Sequence, residues 1–343
     1  MFKKILSQLS FSLLLGVNFT AQAELVALSD EKLSEVTGQA FMNMTTDSHN
    51  GLTFTRLNLG VDIETQMNIK KLELGNYTRA GEAAGTADIS INNFALGSVN
   101  DATGQVNPFS IKNPYLEIAY SGTKVVGVRM GFGEAKGHLS GDINRITGNV
   151  PVDIYGKGSY LASQISCAWY DLVCHGAKGI VGGAYANSDF AAQAQLVTSP
   201  GGDPDPVRAQ FIGMVDGQKL SIPSGSGFDN FLLGLFSSNN CALLGTTTCF
   251  SLANYGSFPV GQFNAATQQF TDSAKGVFLS MQTQNVQWRD QQDATKFVEA
   301  LAGAFMNLPR NADGSAAIRT SFQEAFEGIP RVDTCLGPQT KGC

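Results

Sequence analysis

The sequence predicts a mainly β protein: a curved antiparallel sheet, rolled up or paired into a two-layer sandwich, with peripheral helices and a C-terminal helical hairpin. The first observation behind this is a repeated apolar spacing. Leu52, Phe54, Leu57 and Leu59 fall at offsets zero, two, five and seven, as do Met67, Ile69, Leu72 and Leu74, and then Ile89, Ile91, Phe94 and Leu96. Phe109, Ile111, Leu116 and Ile118 repeat it with two extra residues, and Met281, Thr283, Val286 and Trp288 echo it downstream. Period two places side chains on one sheet face, and the central three-residue step moves the second pair to the other face unless a bulge re-aims the strand. The second observation is punctuation by Gly75-Asn76, Gly97, Asn107-Pro108 and Ser121-Gly122. The third is composition: 15% charged residues, against about 25% in ordinary domains, with 43% hydrophobic content and 38 glycines. That much apolar material supports one large β domain or two smaller ones.

Residues 1–23 read as a secretory signal peptide. Lys3 and Lys4 precede an apolar stretch from Ile5 to Val17, and Ala21-Gln22-Ala23 supplies small residues for cleavage. The segment is short for a membrane span. The chain carries a net charge of −6, and loss of the two lysines makes it more negative. Nucleic acid and anionic membrane are therefore not the expected partners.

Residues 24–50 hold a motif and a linker. In Leu28-Ser29-Asp30-Glu31-Lys32-Leu33-Ser34-Glu35-Val36-Thr37-Gly38, Ser29 is a good N-cap. Asp30 and Glu31 suit the helix dipole, Leu28 and Leu33 form a staple, and Gly38 ends the helix. Leu33 and Val36 give it one small apolar face that must dock on something. The motif is similar to the leader of peptides exported through double-glycine processing, although Gln39 stands in place of the second glycine. Taken with the signal peptide, the block Thr86–Gly97 and the run Asn113–Ile118, it resembles the Fil-type pilus-system proteins of gamma-proteobacteria. The resemblance covers the first half of the chain. It implies a surface or pilus-associated role with pilus components or export machinery as partners, and brings no catalytic residues.

The β-rich core is expected over residues 51–158. Val126, Val128, Met130 and Phe132 alternate there with Gly127, Arg129, Gly131 and Gly133, a small face able to receive another sheet or chain. Residues 159–206 turn toward helix, with Leu161, Ile165, Trp169 and Leu172 at helical spacing, then a Gly-Ala-rich stretch and the Pro-rich loop Thr198–Pro206. Residues 207–289 should bring a hairpin turning at Asp216-Gly217 between Phe211–Val215 and Leu220–Ile222, then return strands from Val277 to Trp288. Between them Phe228, Phe231, Leu232, Leu235 and Phe236 form the most apolar window, a buried core segment or a partner contact. In residues 290–343, Phe297, Leu301 and Phe305, then Ile318, Phe322 and Phe326, lie four apart and predict the helical hairpin.

Six cysteines fall in close pairs: Cys167 with Cys174, Cys241 with Cys249, and Cys335 with Cys343. Three local disulfides are the simplest connectivity in an exported chain. On one continuous helix the first pair would stand roughly 10 Å apart, beyond disulfide reach. Either that helix breaks before Cys174 or the pairing is not local.

No nucleophile elbow, dinucleotide loop or zinc spacing is present, and Asn311-x-Asp313-Gly314 lacks the terminal carboxylates of a calcium loop. Of His49, His138 and His175, none sits in a pattern that marks a catalytic base. The expectation is a non-enzymatic protein without cofactor or metal, at the cell surface or in the periplasm, that makes structural contacts through sheet edges. The alternative is a carrier of a lipid or other hydrophobic ligand, which needs a continuous apolar groove.

Overall fold

A computed structural model describes residues 42–100, 102–227, 237–264, 267–311 and 313–335, all within one compact unit. The signal peptide, the motif Leu28–Gly38 and the apolar window from Phe228 to Phe236 lie outside the described residues.

Seventeen strands carry the architecture relevant here. In the first half these are β1 (Met42–His49), β2 (Leu52–Leu59), β3 (Asp62–Thr65), β4 (Met67–Leu74), β5 (Ile89–Leu96), β6 (Phe109–Ser121) and β7 (Lys124–Arg145). Then come β8 (Val152–Lys157), helices α1 (Gly158–Gln164) and α2 (Leu172–Gly179), β9 (Asp189–Val197), β10 (Phe211–Gly213), β11 (Cys249–Ser251) and β12 (Ser257–Val260). The chain finishes with β13 (Phe278–Gln282), β14 (Val286–Arg289), β15 (Phe297–Ala300), β16 (Gly303–Asn307), β17 (Ile318–Ser321) and helix α3 (Phe322–Glu327).

The 22-residue β7 joins two open sheets. Its first half runs between β6 and β13, in a sheet ordered β1-β2-β6-β7-β13-β16. Its second half runs between β5 and β12, in a sheet ordered β4-β5-β7-β12-β17-β8-β9-β10-β11. The main core forms around the second sheet from Ile89, Ile91, Ile143, Val260 and Ile318, with Leu279 and Met306 of the first sheet packed against it. A smaller core, with Trp288, Phe54 and Phe278, lies between the other face of the first sheet and the ribbon β14–β15.

The stepped apolar spacing is resolved in two ways. In β2 the register with both neighbours is unbroken, so Leu52 and Phe54 enter the small core while Leu57 and Leu59 point to the opposite face. In β5, Asn93 adopts φ 51° and the register with β7 shifts between Asn92 and Ala95. That irregularity turns Phe94 back toward Ile89 and Ile91, and all three enter the main core.

Three sequence expectations are corrected. The C-terminal helical hairpin is absent among the described residues: Phe297 and Phe305 lie on strands β15 and β16, and Ile318 on β17. Spacing of four fits a helix, but these residues pair directly with β14, β13 and β8, and strand pairing overrides local periodicity. Only Phe322 and Phe326 are helical, in α3. The turn at Gly217 forms, with φ 82°, but no hairpin follows. Instead β10 pairs with β9 and β11, while Lys219 and Ser221 bridge to Ser237 and Ala191. The helices expected near Ser159 to Tyr185 form as α1 and α2, while Asp189–Val197, at the end of the Gly-Ala-rich stretch, is a strand.

The first disulfide is local because the helix breaks. α1 ends at Gln164, the chain turns, and α2 begins at Leu172 with the Asp171 carboxylate accepting from Cys174 N at 2.9 Å. Cys167 and Cys174 thereby come to a Cα separation of 5.6 Å. Leu161 and Ile165 are buried, but Trp169 and Leu172, read on the same helical face, stand in solvent. Cys241 is bonded to Cys249, and Cys335 is disulfide-bonded, with Cys343 outside the described residues.

Candidate functional site

The register of the first sheet stacks side chains into rungs, because residues directly opposite on neighbouring strands share a face. One rung runs Met44, Leu57, Leu116, Met130, Leu279, Met306 across β1, β2, β6, β7, β13 and β16. The next runs Thr46, Thr55, Ile118, Val128, Met281, Ala304. Neither contains a charge. Toward β16 this face is covered by the main core, but toward β1 it opens: Met130 is 50% exposed, Leu116 42% and Met44 70%. Between the two regions, beyond the end of β4, lies an open hollow of about 560 Å³ walled by Gly75, Tyr77, Val128, Met281 and Ala304.

The opposite face of the same sheet is polar at its centre. There the rung runs Thr45, Arg56, Glu117, Arg129, Ser280, Phe305. Glu117 accepts from Arg129 Nε at 2.8 Å and pairs with Arg56 at 3.2 Å, so the charges alternate plus, minus, plus. Arg129 is fully buried, its guanidinium about 5 Å from the rings of Tyr115, Phe278 and Trp288. Burial holds its pKa below the usual arginine value, against the opposing pull of Glu117. The small face anticipated around Gly127 and Gly131 is this one, filled from within the chain. An added Cβ at Gly127 would meet the Trp288 ring at 3.0 Å, and one at Gly131 would enter the Tyr115 ring.

Beside β1 a second hollow, of about 280 Å³, is walled by Thr45, Asp47, His49, Arg56, Glu117 and Arg289. Asp47 is paired with Arg289, and Glu117 is shared by Arg129 and Arg56. The walls carry two arginines and two carboxylates, the buried Arg129 behind them makes the group three arginines to two carboxylates, and Arg56 Nε is buried without a hydrogen-bond partner.

Among the described residues β1 pairs with β2 alone, so the backbone groups along its other side are unpaired over eight residues. This edge, the open apolar face and the arginine-containing hollow meet along one strand. Sequence patterning found Leu57, Leu116, Ile118, Val128, Met130 and Met281 of the face but not Leu279, Met306 or β1, whose Met-Asn-Met-Thr-Thr-Asp-Ser-His run has weak alternation.

The three histidines occupy unrelated places. His49 stacks on Phe297 at 3.7 Å and contacts Gln287 at 3.0 Å, and His175 is exposed on α2. His138 lies edge-on to Phe263 and Phe270, and desolvation takes its pKa down to about 4. No three His, Cys, Asp or Glu side chains converge among the described residues. A second buried charge cluster has a structural place: Asp88 accepts from Arg208 Nε and Ala304 N at 2.9 Å and from Arg79 at 3.3 Å, tying the β4–β5 connection to β16.

Comparison of the chain with known protein families, characterised proteins and solved structures finds no match.

Proposed function

We propose that this is an exported interaction protein of a surface-fibre or pilus system, which works by accepting a partner strand at β1 and performs no catalysis. The observation that carries the reading is the eight-residue β1 edge, unpaired on one side among the described residues, at the margin of an uncharged apolar face. Unpaired edges add strands from other chains. The signal-peptide pattern, the Leu28–Gly38 motif and the resemblance to Fil-type proteins support the fibre setting.

The rungs indicate what such a strand should carry. A residue beside Met44 extends an apolar row, and its neighbour beside Thr45 extends the row in which Arg56, with its unpartnered Nε, stands one strand further in. An apolar–acidic–apolar pattern satisfies both. Titration of the chain with ten-residue alternating peptides carrying Glu, Gln or Lys at the central polar position tests this. The Glu peptide is expected to bind about tenfold tighter than the others. Equal binding would remove the acidic requirement, and no binding by any peptide would remove strand addition at this edge.

A hydrophobic-ligand carrier is the second reading, supported by the 560 Å³ hollow and its apolar walls. Native mass spectrometry of protein purified without detergent would detect such a ligand as added mass that organic extraction removes.

A further inference from the structure

We propose that the disulfide-closed tip Cys167–Cys174, with helix α2 behind it, is an anchor that inserts shallowly into the headgroup layer of an uncharged lipid bilayer. Trp169 is 87% exposed, Leu172 82%, and Tyr170 and Val173 each 71%. With Ile180 at 42%, five of the fourteen large apolar side chains exposed among the described residues fall within residues 169–180. Exposed apolar side chains that occur singly need no explanation, but a contiguous cluster marks a contact.

The shape and chemistry select the occupant. These side chains stand clear of the protein, so a protein partner would have to supply a deep matching pocket, whereas a bilayer accepts a convex apolar tip without one. Trp and Tyr join an apolar ring to a polar group, the combination suited to the membrane–water boundary, and Leu and Val supply area for the acyl side. Trp169 and Tyr170 sit edge to face at 5.5 Å.

The tip and α2 offer no cluster of one charge: Asp171 and Lys178 are opposite in sign. The Asp171 carboxylate is engaged by Cys174 N, and Lys178 Nζ donates to Ile165 O at 2.7 Å. His175 is the remaining titratable group on α2, and the whole chain is acidic. Asp171 at the tip also keeps insertion shallow, since a carboxylate stays in the hydrated layer. Below the tip, Ile165, Cys174, Ala177 and Val181 are buried and the disulfide closes the loop, so the apolar residues are held outward before contact and less ordering entropy is lost.

The tryptophan content makes the test direct. Trp169 and Trp288 are the two tryptophans, and Trp288 has no exposed surface. Titration of the full chain with phosphatidylcholine vesicles should shift emission to the blue and reduce acrylamide quenching. Neither change should occur in Trp169→Phe, which leaves the signal of Trp288 alone. Leu172→Ser with Val173→Ser should weaken partitioning by about tenfold or more. Both sites are too exposed for these changes to threaten the fold. Unchanged Trp169 emission would overturn the proposal. So would a shift seen only with phosphatidylglycerol and reversed by salt, which would be an ionic contact made elsewhere, or one that requires a second protein.

Discussion

Arg129 has no exposed side-chain surface, and the chain supplies all that this requires: Glu117 as counter-ion, the Arg289 carbonyl as acceptor at 3.0 Å, and three aromatic rings around the guanidinium. Nothing in the sequence identifies this arrangement, because the carboxylate lies twelve residues away and the rings come from three strands. The one visible signal was the glycines on either side, Gly127 and Gly131, which make room for Trp288 and Tyr115. His138 gives the residue-scale prediction. Burial lowers its pKa from 6.5 to about 4, so below pH 6.5 the unfolded chain takes up a proton that the folded chain refuses. The stability due to burying this ring neutral is complete above pH 6.5 and is lost as pH falls toward 4, a change of up to about 3 kcal/mol. Urea unfolding of His138→Phe beside the parent should show the variant gaining relative stability across that window, and a constant difference would refute it.

Among the elements, those with strong period-two alternation were legible, and those decided by distant pairing were not. The repeated segments Leu52–Leu59, Met67–Leu74 and Ile89–Leu96 and the run from Phe109 to Ile118 read as strands and are strands. Phe297, Leu301 and Phe305 have helical spacing, yet Phe297 and Phe305 pair with β14 and β13, which the sequence does not place beside them. The sequence holds a local signal for α3: Ser321 and Glu324 form a reciprocal capping box that starts the helix at Phe322 and excludes Ile318. Ser321→Ala should cost about 1 kcal/mol of stability by denaturant titration, and no change would show that β17 rather than the cap fixes the helix start. Of the candidate site, the apolar rungs were half visible, since their β2, β6 and β7 members belong to the repeated pattern. The edge was not, because being unpaired is a property of the sheet order and not of Met42–His49.

At the scale of the whole molecule, two open sheets share one long strand, and the first extends beyond the cover that the second provides. The disulfides suit an oxidising, exported setting, and no described helix is long and apolar enough to cross a membrane. Among the described residues, part of the apolar face and the outer edge of β1 are left uncovered by the rest of the chain. The most direct measurement of the central claim is amide hydrogen exchange over residues 42–49, with and without isolated fibre components. Strand addition predicts that alternate amides of β1, those not already bonded to β2, become protected in the complex. A complex that forms while β1 exchanges as before would contradict it.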